Sequence, residues 1–162
     1  MHIQWTKDYN LGIDVIDMQH RRMVDYINEI DDAIRLTGKD REAKLVRVLT
    51  EVVDYTESHF SFEEALLEDI GYPFLNVHKK VHELFIRRIN DYILRFGAGE
   101  DIIVELHDTL TRWLLTHIRT EDANYAQYLH KKEAAASRRP PGPKPRDAKT
   151  ASRWKRLLGW GK

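Results

Sequence analysis

The chain has 162 residues, no cysteine and a formal net charge of zero. That suits one domain with a tail, and it excludes disulfides, thiolate zinc sites, iron–sulfur clusters and covalently attached haem. No apolar run approaches the roughly 20 residues of a membrane-spanning helix, and the first residues lack the basic and apolar regions of a secretory signal, so the expected location is the cytoplasm. The neutral total hides a split: residues 131–162 hold eleven Lys/Arg against two acidic residues, net +9, and residues 1–130 balance them at −9.

Residues 1–16, with Trp5, Tyr9, Gly12, Ile13 and Ile16, are too apolar for a disordered leader and predict an ordered arm across the domain. From about Asp17 to Thr37, Met23, Ile27, Ile30 and Ile34 recur at spacings of three and four and stop at Gly38, the pattern of an amphipathic helix. Asp17 is expected to cap this helix or to fix the arm. A second helix follows Asp40, carrying Leu45, Leu49, Val52, Phe60, Leu66 and Leu67 as far as Gly71. Pro73 suits the first turn of a third, with Val81, Phe85, Ile89 and Phe96 inside and Gly97 at its end. A fourth spans about Glu100 to Leu129 through Ile103, Leu106, Leu110, Trp113, Leu114, Ile118 and Tyr125. Strand-like alternation is absent, and connections of a few residues force neighbouring helices to be antiparallel. The predicted fold is therefore all-α, an up-down-up-down antiparallel four-helix bundle.

After Lys132 the composition changes to Ala-Ala-Ala and then Ser-Arg-Arg-Pro-Pro-Gly-Pro-Lys-Pro, which favours extended geometry. The predicted division is a bundle over residues 1–132 and a proline-rich linker with a basic tail over 133–162. In that tail Ala151, Trp154, Leu157 and Leu158 share one helical face, with Arg153, Lys155 and Arg156 toward others. Residues 148–162 thus read as a basic amphipathic segment for an anionic membrane surface or an acidic protein partner, the membrane version placing the protein peripherally at the inner membrane surface. Nucleic acid is not the expected partner.

The histidines are ordered along the helices. His59 and Glu63 form one i,i+4 pair and His78 and His82 another, so each pair projects from one helix face. His20 is in register with Met23 and Ile27, and His117 lies with Trp113, Leu114 and Ile118. All four helices thus turn nitrogen or oxygen groups toward the interior. One histidine on an apolar face is more often a packed core residue than a ligand. Many such groups in one small core are another matter, because each costs several kcal/mol to bury unless paired or bound to a cation. Five imidazoles and two carboxylates exceed one ion, since zinc saturates with about four ligands. Two ions bridged by the carboxylates use them all, and iron suits both imidazole and carboxylate. Asp122 lies five residues after His117, about 140° around an ideal helix, an offset from which it reaches a second ion. His107 falls about 80° from the direction of His117, and His2 and His130 lie near the domain ends, so none is an expected ligand. No Glu-x-x-His and no Gly-x-Ser-x-Gly occurs, and no catalytic residue is expected.

The ordered set His20, His59-x-x-x-Glu63, His78-x-x-x-His82 and His117-x-x-x-x-Asp122 resembles the hemerythrin signature. Trp5-x-x-x-Tyr9-x-x-Gly12-Ile13 and Ile16-Asp17-x-Gln19-His20 resemble bacterial hemerythrins, and the likeness covers about residues 3–130. The resemblance implies two non-haem iron ions, one held by His78, His82 and His117 and the other by His20 and His59. Glu63 and Asp122 would bridge them together with a solvent-derived oxo or hydroxo group, leaving the second iron an open position for dioxygen. It also implies that Trp113, Leu114 and Ile118 line an oxygen pocket besides serving as core. The implied function is reversible dioxygen binding for storage, delivery or sensing. The alternative is a di-iron enzyme that reduces dioxygen, peroxide or nitric oxide, or oxidises ferrous iron. Only two carboxylates among so many histidines favours binding over activation.

Overall fold

A computed structural model describes residues 2–138. The tail segment 148–162, with its partner surfaces, lies outside the described residues. Four rods run antiparallel: α1 (Asp14–Ile34), α2 (Gly38–Asp69), α3 (Leu75–Gly97), and a last rod built from α4 (Ile103–His117), a π-helical turn (Ile118–Asp122) and α5 (Ala123–Ser137). No strand occurs among the described residues. α1 packs on α2 and on α4, and α2 packs on α3, the neighbour order of an up-down-up-down bundle.

The boundaries differ locally from the sequence expectation. α1 begins three residues before Asp17, and Asp17 fixes the arm instead of capping the helix. Its Oδ1 accepts the Leu11 N–H at 2.8 Å and its Oδ2 the Gly12 N–H at 3.1 Å. α2 starts at Gly38, placing Asp40 in its first turn, and α3 starts at Leu75, after Pro73. The last rod continues to Ser137 because Glu133 and the alanines that follow are good helix formers. α2 ends in a Schellman turn, in which the Gly71 N–H donates to the Glu68 carbonyl at 3.0 Å and the Tyr72 N–H to the Leu67 carbonyl at 2.9 Å. This turn needs a left-handed residue, and Gly71 supplies φ +65° without steric cost.

The arm crosses the bundle as expected. Asn28 grips the Ile3 backbone from both sides, accepting its N–H at 2.7 Å and donating to its carbonyl at 3.0 Å. Tyr9 is buried, and Ile13 and Ile16 are fully buried. His130, assigned no role in the sequence, bonds the Leu11 carbonyl at 2.8 Å.

Two apolar clusters divide the core. The larger includes Met23, Ile27, Leu49, Val52, Phe85, Leu110 and Leu114. The smaller gathers Ile13, Ile16, Leu66, Leu67, Tyr125, Ala126 and Leu129. Between them runs a layer of polar side chains contributed by every rod, and antiparallel direction sets what lies beside it. One turn on from His20 in α1 is Met23, and one turn back from His59 in α2 is Thr56. The same steps lead from His82 to Phe85 and from His117 to Leu114. All four neighbours meet at one level, where they line a single buried cavity.

Candidate metal centre

His20, His59, Glu63, His78, His82, His117 and Asp122 are all buried, none more than 4% exposed. Their donor atoms converge in two groups, Glu63 with His78, His82 and His117, and Glu63 again with His20 and His59, the atoms of each group lying within 4.8 Å of one another. Glu63 Oε2 stands 3.2 Å from both His78 Nε2 and His82 Nε2. Asp122 turns its two oxygens in different directions, Oδ1 to His117 Nε2 at 3.1 Å and Oδ2 to His20 Nε2 at 3.3 Å. Every predicted ligand is therefore in one constellation. His2, by contrast, pairs with Asp32 at 2.8 Å, and His107 lies beside Asp108, so neither belongs to it.

The ideal-helix expectation for Asp122 needs correction. In the π turn the hydrogen bonds close over five residues instead of four, so residues five apart fall nearly in register. Asp122 is thereby brought onto the His117 side instead of being rotated away, and still reaches His20 across the core.

Two of the outer ring nitrogens have partners that sequence reasoning missed. His82 Nδ1 donates to Glu64 Oε1 at 2.9 Å, and His59 Nδ1 donates to Gln19 Oε1 at 2.9 Å. His117 Nδ1 lies 3.4 Å from Glu121 Oε2, out of hydrogen-bond alignment. A donating Nδ1–H fixes the tautomer and leaves Nε2 with the lone pair a metal takes. Gln19, Glu64 and Glu121 each directly precede or follow a candidate ligand in the chain, which was the available signal. Phe60 lies flat on His82 at 3.6 Å and 3°, and Trp113 on His117 at 4.4 Å and 16°.

Electrostatics follow from burial and mutual contact. Burial holds the His59 imidazole neutral, its pKa lowered to about 3. Burial opposes charge on His117 too, but the Asp122 carboxylate overrides it and raises that pKa to about 10. Burial likewise opposes charge on Glu63, yet His78 and His82 hold its carboxyl well below the usual range.

The residues fit a metal centre. His20 Nδ1 and Nε2, His59 Nε2, Glu63 Oε1 and both Asp122 oxygens are buried without a hydrogen-bond partner, a cost of about 1–3 kcal/mol each unless something satisfies them. Donors at right angles around a metal about 2.1 Å away stand about 3.0 Å apart, and the closest pairs here are 3.1–3.3 Å apart.

Beside the ligand layer, Met23, Thr56, Phe85 and Leu114 line the buried cavity together with Tyr26, Ile27, Val52, Leu110 and Trp113. Its volume is about 10 Å³, at the lower limit for a single water. Two of the expected pocket residues, Trp113 and Leu114, are thus in its wall, whereas Ile118 is buried in the same core without lining it.

Fold and site together define a class: an all-α bundle with a histidine-rich, carboxylate-containing metal centre in its core. Residues 11–129 match the hemerythrin HHE cation binding domain. A bacteriohemerythrin of Pseudomonas aeruginosa (strain LESB58) is 54% identical over 124 residues, 76% of this chain and 79% of that one. One from Clostridium acetobutylicum is 32% identical over 124 residues, 75% and 96% of the two chains. The crystal structure of a hemerythrin point mutant superposes with a TM-score of 0.71 at 25% identity, covering 78% of this chain and 97% of that one. The chain belongs to the hemerythrin family. It is a di-iron, dioxygen-binding protein. No helix among the described residues is long and apolar enough to cross a membrane.

Proposed function

We propose that His78, His82 and His117 hold one iron and His20 and His59 the other, that Glu63 and Asp122 bridge the pair, and that the protein binds dioxygen reversibly for storage, delivery or sensing. The observation that carries this reading is the two-sided Asp122, one oxygen on His117 and the other on His20. When bound, two ferrous ions supply the two electrons that a dioxygen ligand takes up. The chain's own part is to position and to exclude. Gln19 and Glu64 orient His59 and His82. Trp113 and Leu114 help wall the small cavity beside the ligand layer and cover it with apolar surface. The histidine-rich ligand set supports binding over turnover, so the protein is read as a carrier and not an enzyme.

The test is an anaerobic, iron-loaded sample assayed for iron per chain and followed by visible absorption as dioxygen is added and removed. Two irons and a band that appears and reverses are expected. Oxidation without a reversible band, or steady consumption of dioxygen with a reductant, would move the assignment to an oxidase or reductase. His20→Ala and His59→Ala abolish the reversible band while far-ultraviolet circular dichroism keeps its helical signal.

Residues 148–162 are proposed as a docking segment on a proline-rich tether, for an anionic membrane surface or an acidic protein, on a chain working in the cytoplasm or peripherally at the inner membrane surface. Their net charge opposes that of the bundle, which favours such partners. Removing residues 139–162 is expected to leave the dioxygen response intact and to abolish co-sedimentation with anionic liposomes. Equal sedimentation of both forms would overturn the membrane version.

A further inference from the structure

The partners of the outer ring nitrogens are unlike on the two sides of the centre. On the three-histidine side His82 donates to the Glu64 carboxylate at 2.9 Å, and a second carboxylate, Glu121, lies 3.4 Å from His117. On the two-histidine side His59 donates to the neutral amide of Gln19 at 2.9 Å, and His20 Nδ1 has no hydrogen-bond partner. Both Glu64 and Gln19 orient their imidazole, but only Glu64 adds negative charge. A carboxylate that accepts the Nδ1–H makes the imidazole a more basic ligand and favours the more oxidised metal, whereas an amide fixes the ring with little change in its electronics. Lys79 Nζ, 3.7 Å from the other Glu64 oxygen, weakens this charge without cancelling it, because it is the more distant contact and its side chain is 39% exposed.

We infer that Glu64 and Gln19 are positioning residues that make the two irons electronically unequal, the Glu64 side favouring ferric iron and the Gln19 side keeping the dioxygen-binding iron ferrous. The inference rests on the ligand assignment proposed above. It gives the fold a reason to place an amide and a carboxylate of nearly the same shape at matching positions around one centre.

The experiment uses the full chain, loaded with iron, as wild type, Gln19→Glu, Glu64→Gln and the double exchange of both. These isosteric changes keep an acceptor for each Nδ1–H and alter only charge. Iron per chain is counted first, the two one-electron midpoints are then measured by spectroelectrochemical titration, and the His59 and His82 Nδ1–H resonances are followed by NMR on the zinc-loaded protein. Gln19→Glu is expected to lower the mean midpoint and Glu64→Gln to raise it. Each single change narrows the gap between the two midpoints, and the double exchange restores a gap with the charge on the opposite flank. Both Nδ1–H resonances persist throughout. Two irons per chain with midpoints that do not move, or move the other way, would overturn the inference. Fewer than two irons in the wild type would instead overturn the ligand assignment on which it rests. Glu64→Ala removes orientation and charge together and is expected to lower iron affinity by about 10–100-fold. Unchanged affinity would show that His82 needs no such partner and would also count against the inference.

Discussion

Asp122 Oδ1 stands 3.1 Å from His117 Nε2 although the two residues are five positions apart. On a regular α-helix that separation turns them about 140° from each other, and the π turn between them removes most of the difference. One locally widened turn thus converts two unrelated directions on a helix into adjacent donors, while the rest of the rod keeps its apolar face on the core.

Asp122→Asn tests the contribution of the carboxylate itself. The side chain keeps its size, so circular dichroism is expected to be unchanged. One oxygen and the negative charge are lost, and the affinity for the second iron falls by more than about 10-fold, since disturbing even an outer partner costs that much. Iron per chain after dialysis checks it.

Chelator-stripped protein is expected to be most stable near neutral pH. His59 titrates at about 3 when folded against a usual value of 6.5, so between those values the unfolded chain binds more protons. The stability it contributes is present above pH 6.5 and is lost as pH falls toward 3. His117, raised to about 10, acts in reverse: its contribution is present below its usual value and is lost as pH rises through 10. Urea midpoints of the stripped protein across this range check both limbs, and His59→Gln is expected to flatten the acid one.

Leu114→Ala enlarges the cavity beside the ligand layer. Leu114 is 2% exposed, and truncating such a leucine costs about 2–5 kcal/mol. Stopped-flow absorption is expected to show dioxygen entering and leaving faster, and Leu114→Phe, which fills the space, is expected to slow both steps.

Asp17→Ala frees the arm. Two backbone N–H groups, of Leu11 and Gly12, lose part-buried hydrogen bonds to a carboxylate, and a hydrogen bond to a charged group contributes about 1.5–3 kcal/mol. Amide exchange of Leu11 and Gly12 is expected to accelerate well before that of α1, with a fall of about 2 kcal/mol in unfolding free energy.

The helices and their inward faces were legible because three-and-four spacing is a property of the chain itself, and so was the convergence of ligands, because the same spacing put His20, His59, His82 and His117 on those faces. What stayed hidden depends on departures from regularity or on contacts between elements. The π turn leaves no mark in a hydrophobic pattern, so ideal-helix geometry gives the reach of Asp122 toward His20 but not its place beside His117. Gln19 and Glu64 serve histidines on other helices, α2 and α3, a relation that spacing along one helix does not reveal. The last rod runs past the change in composition at Lys132, because the alanines after Glu133 favour the helix whereas the prolines beyond them do not.

The distribution of the donor layer over every rod also sets when the site comes into being. His20 lies near the start of the described bundle and Asp122 near its end, so a ribosome must release almost the whole domain before both Asp122 oxygens find their places. A shorter nascent chain already holds Glu63 among the histidines of the first three helices, but lacks the carboxylate that faces both His117 and His20. The complete donor layer therefore exists only once the last rod has been made and has folded against the other three.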